Sequence, residues 1–405
     1  MLVALAAVGP EAAQWPQFRG PDGQGHSSER GLPLEWSESR NIVWKTPVPG
    51  VGWSSPVVAG GRVWMTTAVD SGEGRRGGAS SLRVLAFDEA TGRELVNVEL
   101  FQLRSAGDIH PKNSRASPTP ILDGDRVYVH FGAEGTAALT TSGEIVWTTR
   151  LRYESQHGDG GSPVLVGDLL IVSCDGNDVD AFVVGLDKHT GKTRWKTNRR
   201  RPSDQAYTTP LVIRVGERDQ VVSVGAYRAA AYDPATGREI WRVGYPEGFS
   251  NVPRPVFGHG LVYIATGFNV PTLIAVRADG QGDVTRTHIA WTLQRGVPYT
   301  PSPVLAGDAL YVVHDIGILS ALDARTGTAL WQARLGGNYS ASPVFAEGRL
   351  YFSSEEGVTT VVEPGQEFRK LASNVLDGGI LASMAVAGGS FFIRTDKHLY
   401  RIAQR

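Results

Sequence analysis

The stretch AYDPATGREIW, Ala231–Trp241, decides how this 405-residue chain is read. It sets an Ala two residues before an Asp, Thr-Gly three residues after that Asp, and a Trp four residues beyond the Gly. LDKHTGKTRW at Leu186–Trp195 and LDARTGTALW at Leu322–Trp331 repeat it, and FDEATGREL at Phe87–Leu95 repeats its first part. Asp and Thr side chains bond nearby backbone N–H groups, and Gly accepts a left-handed conformation, so D-x-x-T-G reads as a tight turn. The turn joins a short apolar strand to one carrying a Trp, a large plate suited to packing against a neighbouring repeat.

A second phrase precedes each copy: a small residue, a Pro, an apolar pair, a Gly-containing turn and a β-branched or aromatic run. It starts at Ser54, Ser117, Gly161, Thr208, Pro253, Pro301, Ala341 and Ala382, making eight copies. The anchoring prolines 56, 120, 163, 210, 255, 303 and 343, with Met384 in the eighth copy, lie 40–48 residues apart except for one gap of 64. The wide gap marks an insertion in the first repeat, at Ser71–Ser81 and Phe101–Ser114. Strand-like repeats of this period are the units of a propeller. Each resolves into four strands, A to D, with a Gly-containing hairpin between A and B and the D-x-x-T-G turn between C and D.

The outermost strand carries Trp44, Trp147, Trp195, Trp241, Trp291, Trp331 and, in the seventh repeat, Phe368, while the inserted repeat has VNVEL at Val96–Leu100. Trp44 precedes the first repeat, and the last repeat stops at HLYRI (His398–Ile402) without a fourth strand. NIVWKTP (Asn41–Pro47) is therefore expected to complete the last blade, a closure that leaves no free sheet edge inside the ring. The fold class predicted is all-β: an eight-bladed propeller of four-stranded antiparallel blades over residues 41–405. Residues 1–13 read as a signal peptide or leader and 14–40 as a lead segment.

Composition bounds the function. Forty Lys and Arg against 41 Asp and Glu, with no basic tail, give no footprint for nucleic acid. Cys174 stands alone, so no internal disulfide or thiolate cluster forms, and it reads as a small buried hydrophobe. MLVALAAVGPEAAQ is apolar and rich in small residues like the end of a secretory signal, although it lacks a basic start. Elsewhere there is no apolar run of eighteen residues to span a membrane. The chain is expected to be periplasmic or secreted, and monomeric.

The full A-x-D-x-x-T-G-x-x-x-W match resembles the tryptophan-docking repeat of quinoprotein propellers, from about Asn41 onward. Two branches share that repeat, the pyrroloquinoline quinone (PQQ) dehydrogenases and the family of the outer-membrane assembly propeller BamB. The resemblance implies the propeller fold. In the enzyme branch it implies a paired-cysteine disulfide beside the quinone, which a chain with one Cys lacks, and no haem-binding CxxCH is present. The lipid-anchor Cys associated with BamB is absent as well. QWPQFRGPDGQG (Gln14–Gly25) is similar to the opening of secreted quinoprotein-like propellers.

Topology sorts the polar residues between the two ends of such a propeller. The A–B and C–D turns are short and stereotyped, whereas the B–C and D–A connections hold His110, Asn113, Arg115, His157, Asp175, Asp178, Arg254, His314, Asp315 and His398. These ten form the candidate ligand-binding rim, since loops on a rigid scaffold carry binding residues. DGNDVD (Asp175–Asp180) makes Asp175, Asp178 and Asp180 weak metal candidates, without the length or terminal Glu of an EF-hand. His110 and His157, in successive loops, are candidates to meet near the channel. No catalytic residue is assigned, because neither a Ser-His-Asp order nor a G-x-S-x-G elbow occurs. The reading is an exported, non-catalytic scaffold presenting its rim to an envelope protein or an extended polypeptide. The alternative is an alcohol- or sugar-oxidising dehydrogenase holding PQQ with Ca²⁺, or a metal, at the same rim. A third is sugar binding through Trp53, Tyr207 and Tyr299.

Overall fold

The computed structural model describes residues 14–71, 79–104, 109–155, 157–176, 181–199 and 204–405. Within them the chain forms eight antiparallel sheets, each contributing four strands to one blade of an eight-bladed β-propeller. The A strands are short: Val57–Ala59, Ile121–Asp123, Val164–Val166, Leu211–Val215, Val256–Gly258, Val304–Ala306, Val344–Ala346 and Ala385–Ala387. Strands B and C carry the buried apolar faces that fill the space between blades. The eighth blade closes as expected. Ile42–Pro47 pairs antiparallel with His398–Ala403, placing Trp44 opposite Arg401.

The repeated turn shows why its residues recur. Asp233 Oδ1 accepts both the Thr236 N–H and the Thr236 hydroxyl, at 2.9 Å each, and Asp88, Asp187 and Asp323 make the same pair of bonds to Thr91, Thr190 and Thr326. The following Gly237 has φ +69°, a conformation in which a side chain is strained. Among the described residues, every blade then has a β-bulge at the start of its C–D pairing, and in three matches of the motif it sets the Trp opposite a small residue: Trp241 on Ala231, Trp195 on Gly185, Trp331 on Ala321. The leading Ala of the motif makes room for the indole, and the bulge re-aims the strand.

The indole then reaches into the next blade. Trp44 Nε1 donates to Glu89 O (2.9 Å), Trp147 to Lys188 O, Trp195 to Pro234 O, Trp291 to Ala324 O and Trp331 to Gly365 O. The ring lies against the turn Gly of that blade so closely that a Cβ on Gly92, Gly191, Gly237 or Gly327 would come within 2.3–2.6 Å of it. In the inserted blade Val96 takes this place, against Gly143.

Three local expectations change. Phe368 is not the seventh blade's counterpart of Trp331. Its outer strand is Arg369–Val375, the bulge puts Ala372 opposite Val361, and Phe368 packs on Trp331 at 5.5 Å. The first blade's insertion lengthens strands, giving ten-residue strands Arg62–Ser71, Ala79–Asp88 and Glu94–Leu103. Trp241 donates within its own blade, to Gln220 Oε1 (2.9 Å), because the fifth blade's longer C–D turn lays Gly282–Asp283 parallel along the fourth blade's outer strand.

Gly191→Ala and Gly124→Ala separate the interblade contact from backbone strain. Both glycines have positive φ, but only Gly191 faces an indole, whereas nothing lies within 4 Å of a Cβ on Gly124. Gly191→Ala is expected to cost about 1–3 kcal/mol more than Gly124→Ala, the range for overpacking, read from urea midpoints. Equal costs would show that the indole contact carries little stability.

Candidate functional site

The lead segment occupies the channel. Trp15 exchanges backbone bonds with Val58 in the first A strand, Pro16 O accepts from Leu122 in the second, and Gly25 O accepts from Phe345 in the seventh. His26–Ser27 runs parallel to Val344–Ala346. The coil between them is tight: Arg19, Gly20, Gly23 and Gly25 all have positive φ, and Gly20 sits against the Trp15 ring. Its Gly-rich sequence is what so narrow a space demands. The segment leaves past the A–B turns, where Gly31 and Leu32 donate to Glu347 and Glu29 accepts from Gly389. Trp36 then packs between Tyr351 and Phe391.

What remains at the other end is a cup of about 710 Å³ with Phe18 at its floor. That volume lies within the ordinary range for ligand pockets. Around the floor runs a ring of hydroxyls from the residue preceding each anchoring Pro or Met: Ser55, Thr119, Ser162, Thr209, Ser302, Ser342 and Ser383. They tie the blades together. The Ser55 N–H donates to Thr119 Oγ1, Thr119 N–H to Ser162 Oγ, Ser162 N–H to Thr209 Oγ1, Ser302 N–H to Ser342 Oγ and Ser342 N–H to Ser383 Oγ, all at 2.8–3.0 Å. The fifth blade has Arg254 at this position. Its N–H donates to Ser302 Oγ, but it has no hydroxyl to offer, and its guanidinium turns under the floor to Pro210 O and Phe18 O.

The walls are aromatic and polar. Trp53, Tyr207, Phe249, Phe268 and Tyr299 stand around the cup with His110, Asn113, His157 and Asp315. Lys112 reaches from the first blade's loop to Glu355 of the seventh (2.8 Å), and Glu355 also accepts the Ser340 hydroxyl.

Four of the ten candidate residues therefore meet in the cup. His110 and His157 lie with ring centroids 5.8 Å apart, and Asn113 Nδ2 donates to His157 O. Asp315 Oδ2 accepts the Tyr299 N–H (2.7 Å), and His314 stacks edge-on against the Tyr299 ring just outside. Arg115 is half-buried in the His110 loop. Arg254 is buried below the cup, not exposed on its rim. Asp175 is buried in an ion pair with Arg199 (2.7 Å), and His398 lies on the eighth blade against Tyr400. Asp178 and Asp180 lie outside the described residues. The aromatic walls and Phe18 complete the site. The small residue preceding most of the anchoring prolines was visible in the repeat, but its bond to the next blade was not.

The donor set does not fit a calcium-bound quinone. Asp315 is the one carboxylate lining the cup, and no three His, Cys, Asp or Glu side chains converge among the described residues, whereas Ca²⁺ takes six to eight oxygens. His110 Nδ1 already accepts the Lys112 N–H (3.2 Å), which occupies one of the ring's two possible ligand atoms.

Behind His157, Asp159 is half-buried against Gly132. It accepts the Tyr153 hydroxyl (2.6 Å), and burial pushes its carboxyl up to about 6. Asp175 is likewise raised to about 6 by burial, and at neutral pH it remains ionised against Arg199.

Comparison with known proteins gives one consistent family. The model of a family described as outer membrane protein assembly factor BamB matches residues 28–178 and 179–405. The outer membrane protein assembly factor BamB of Burkholderia pseudomallei is 32% identical over 278 residues, 55% of this chain and 66% of that protein, just under two thirds of the relative's length. Among solved structures, BamB from Moraxella catarrhalis superposes with a TM-score of 0.60 at 16% identity, covering 89% of this chain and 99% of that one. The quinohemoprotein alcohol dehydrogenase ADHIIG of Pseudomonas putida HK5 superposes at 0.63 and 12% identity, covering 95% and 76%. A computationally designed protein, Ika8, gives 0.58 and 11%, covering 92% and 100%. At these identities the structural likeness is one of fold.

Asp159 makes stability depend on pH in a defined direction. Its folded value is raised from 3.8, so the fold favours the neutral acid. That contribution is complete below about pH 3.8 and is lost as pH rises through about 6. Asp159→Asn should therefore gain stability relative to wild type between about pH 4 and 7, by up to about 3 kcal/mol at 1.4 kcal/mol per unit. Urea midpoints across that range test it, and a pH-independent difference would refute it.

Proposed function

The chain belongs to the family of the outer membrane protein assembly factor BamB, and on that premise we propose that it is an exported, non-catalytic scaffold in outer-membrane assembly. It works in the periplasm, holding a partner protein or an extended segment of one at the rim of the cup. The observation carrying this reading is the set of exposed apolar side chains around the mouth of the cup. Of nine exposed large apolar side chains among the described residues, five, Val51, Phe268, Val270, Ile316 and Val375, lie at the cup end, and four, Leu95, Ile145, Val146 and Phe368, lie by the C–D turns. Exposed apolar groups around a polar-lined cleft are what a protein-binding face presents.

Phe268 packs edge-on against Phe249, which in turn meets Tyr227, so one sector of the rim is an aromatic shelf. On the opposite side His110, Asn113 and His157 offer hydrogen-bonding groups. An extended polypeptide crossing the mouth would set apolar side chains on the shelf and backbone groups toward the polar side. The family match and the reading of the leader support export, and no helix among the described residues is long and apolar enough to cross a membrane.

A photo-crosslinking side chain in place of Phe268 or Ile316 is expected to capture outer-membrane assembly proteins in intact cells, and one in place of Ile145, exposed on an outer strand, is not. Phe268→Glu should lower their co-purification at least roughly fivefold with an unchanged melting temperature, since one charge in an apolar contact costs more than the 1.4 kcal/mol that a factor of ten represents. Equal capture from all three positions would refute the rim assignment. Dye-linked alcohol or sugar oxidation by the protein supplied with PQQ and Ca²⁺ would refute the non-catalytic reading.

A further inference from the structure

The cup floor is backed by three guanidiniums that form no ion pair among the described residues. Arg19, Arg254 and Arg394 are each buried, and their bonds go to neutral oxygens: Arg19 to Gln24 O and Pro303 O, Arg254 to Pro210 O and Phe18 O, Arg394 to Ser54 O, Ser54 Oγ and Thr66 O. Among the described residues none of the three has a carboxylate within ion-pair distance. Burial draws each down to about 9, which leaves all three charged at neutral pH. Asp22 is bonded to His26 (2.7 Å), and its charge acts on Arg19 and Arg254 only from beyond ion-pair distance.

All three sit directly behind the lining. Arg19 follows Phe18, Arg254 belongs to the hydroxyl ring, and Arg394 grips Ser54 between Trp53 and Ser55. Charges buried in a low-dielectric wall act strongly on the cavity they border. Of the carboxylates around the cup, Asp315 accepts the Tyr299 N–H, Glu355 pairs with Lys112, and Asp159, behind His157, accepts the Tyr153 hydroxyl.

The hydroxyl ring adds direction. Thr119, Ser162, Thr209 and Ser383 each use an oxygen lone pair to accept a neighbouring blade's N–H. A hydroxyl that is accepting still has one proton to donate. Each of the four therefore keeps an O–H for an acceptor placed in the cavity they line, in front of three guanidiniums. Above it stand the faces of Trp53, Tyr207, Phe249, Phe268 and Tyr299.

We propose that the cup binds a carboxylate borne on an aromatic or apolar body, the carboxylate on the hydroxyl ring and the body against the aromatic wall. Hydrogen bonds to an ionised acceptor are roughly twice as strong as neutral ones, so the acid is preferred over its amide. Two sources carry this chemistry, a free aromatic carboxylic acid and the C-terminus of a polypeptide ending in an aromatic residue. The inference does not rest on the scaffold reading, since crosslinking at the rim and acid binding in the cup succeed or fail independently.

Calorimetry on the wild-type protein with N-acetylphenylalanine and its primary amide, and with a hexapeptide ending in phenylalanine as acid and as amide, tests it. An acid binding at least roughly tenfold tighter than its amide, a difference of about 1.4 kcal/mol, is expected from at least one pair. Preference confined to the small acid identifies a free metabolite, and preference confined to the peptide identifies a chain terminus. Thr209→Val should reduce acid binding more than amide binding. If that variant does not fold, the wild-type comparison still decides. Equal affinities for acid and amide in both pairs, or no binding by either acid at about millimolar concentration, would overturn the proposal.

Discussion

One contact recurs around the molecule and the rest depends on it: the indole of one blade laid on the turn glycine of the next, with its N–H on a carbonyl of that turn. The geometry has no tolerance on the glycine side, because a single added carbon would overlap the ring. Where it occurs, one blade's outer strand is thereby fixed to its neighbour's, and the ring closes with the same contact. Trp44 lies on Gly92 and donates to Glu89 O, while its own strand completes the eighth sheet. One short segment thus serves both as a strand of the last blade and as the link to the first. The free edges that would invite association are removed in the same step.

A second hoop lies at the inner edge. The hydroxyl-to-amide ring sets the spacing of the A strands around the channel, as the indoles set that of the outer strands. Held at both radii, the blades form a rigid frame whose D–A and B–C loops can vary freely. The plug exploits this frame. Because A strands present unpaired backbone groups to the channel, residues 15–27 can bond to the first, second and seventh of them without disturbing the blades. The channel is thereby turned into a one-ended cup.

The fold was legible because its strand phrase is written eight times and its turn four times, with Ala, Asp, Thr, Gly and Trp holding positions in a turn whose chemistry is local. Even the strand exchange at Trp44 followed from counting outer strands. Phe368 was misplaced for the opposite reason. The bulge that offsets the seventh outer strand is a pairing property, and an aromatic of the right type stood one residue before its start. The site was half legible. His110, Asn113, His157 and Asp315 were placed by loop topology, but Arg254 occupies such a loop and still turns inward, because its backbone belongs to the serine ring. QWPQFRGPDGQG carries no periodicity, and its role comes from long-range contacts with A strands that no local pattern encodes.

Departures from the repeat concentrate in the fourth and fifth blades. Arg254 replaces the ring hydroxyl, the fifth C–D turn lacks Thr-Gly, and its Gly282–Asp283 segment covers the fourth blade's outer edge while Trp241 is redirected to Gln220. These changes compensate one another mechanically. Where the inner ring loses a bond, Thr209 to the fifth blade, the outer edges of the same two blades gain a parallel pairing, an Arg242–Asp283 contact (3.4 Å) and a Gly244 to Thr285 bond (2.9 Å). A guanidinium in the ring therefore leaves the frame intact. What it adds is a buried cation under the floor and a hydrogen bond to the plug at Phe18 O. Seven blades spend this position on their neighbours, and the fifth uses it to fasten the plug and polarise the cup.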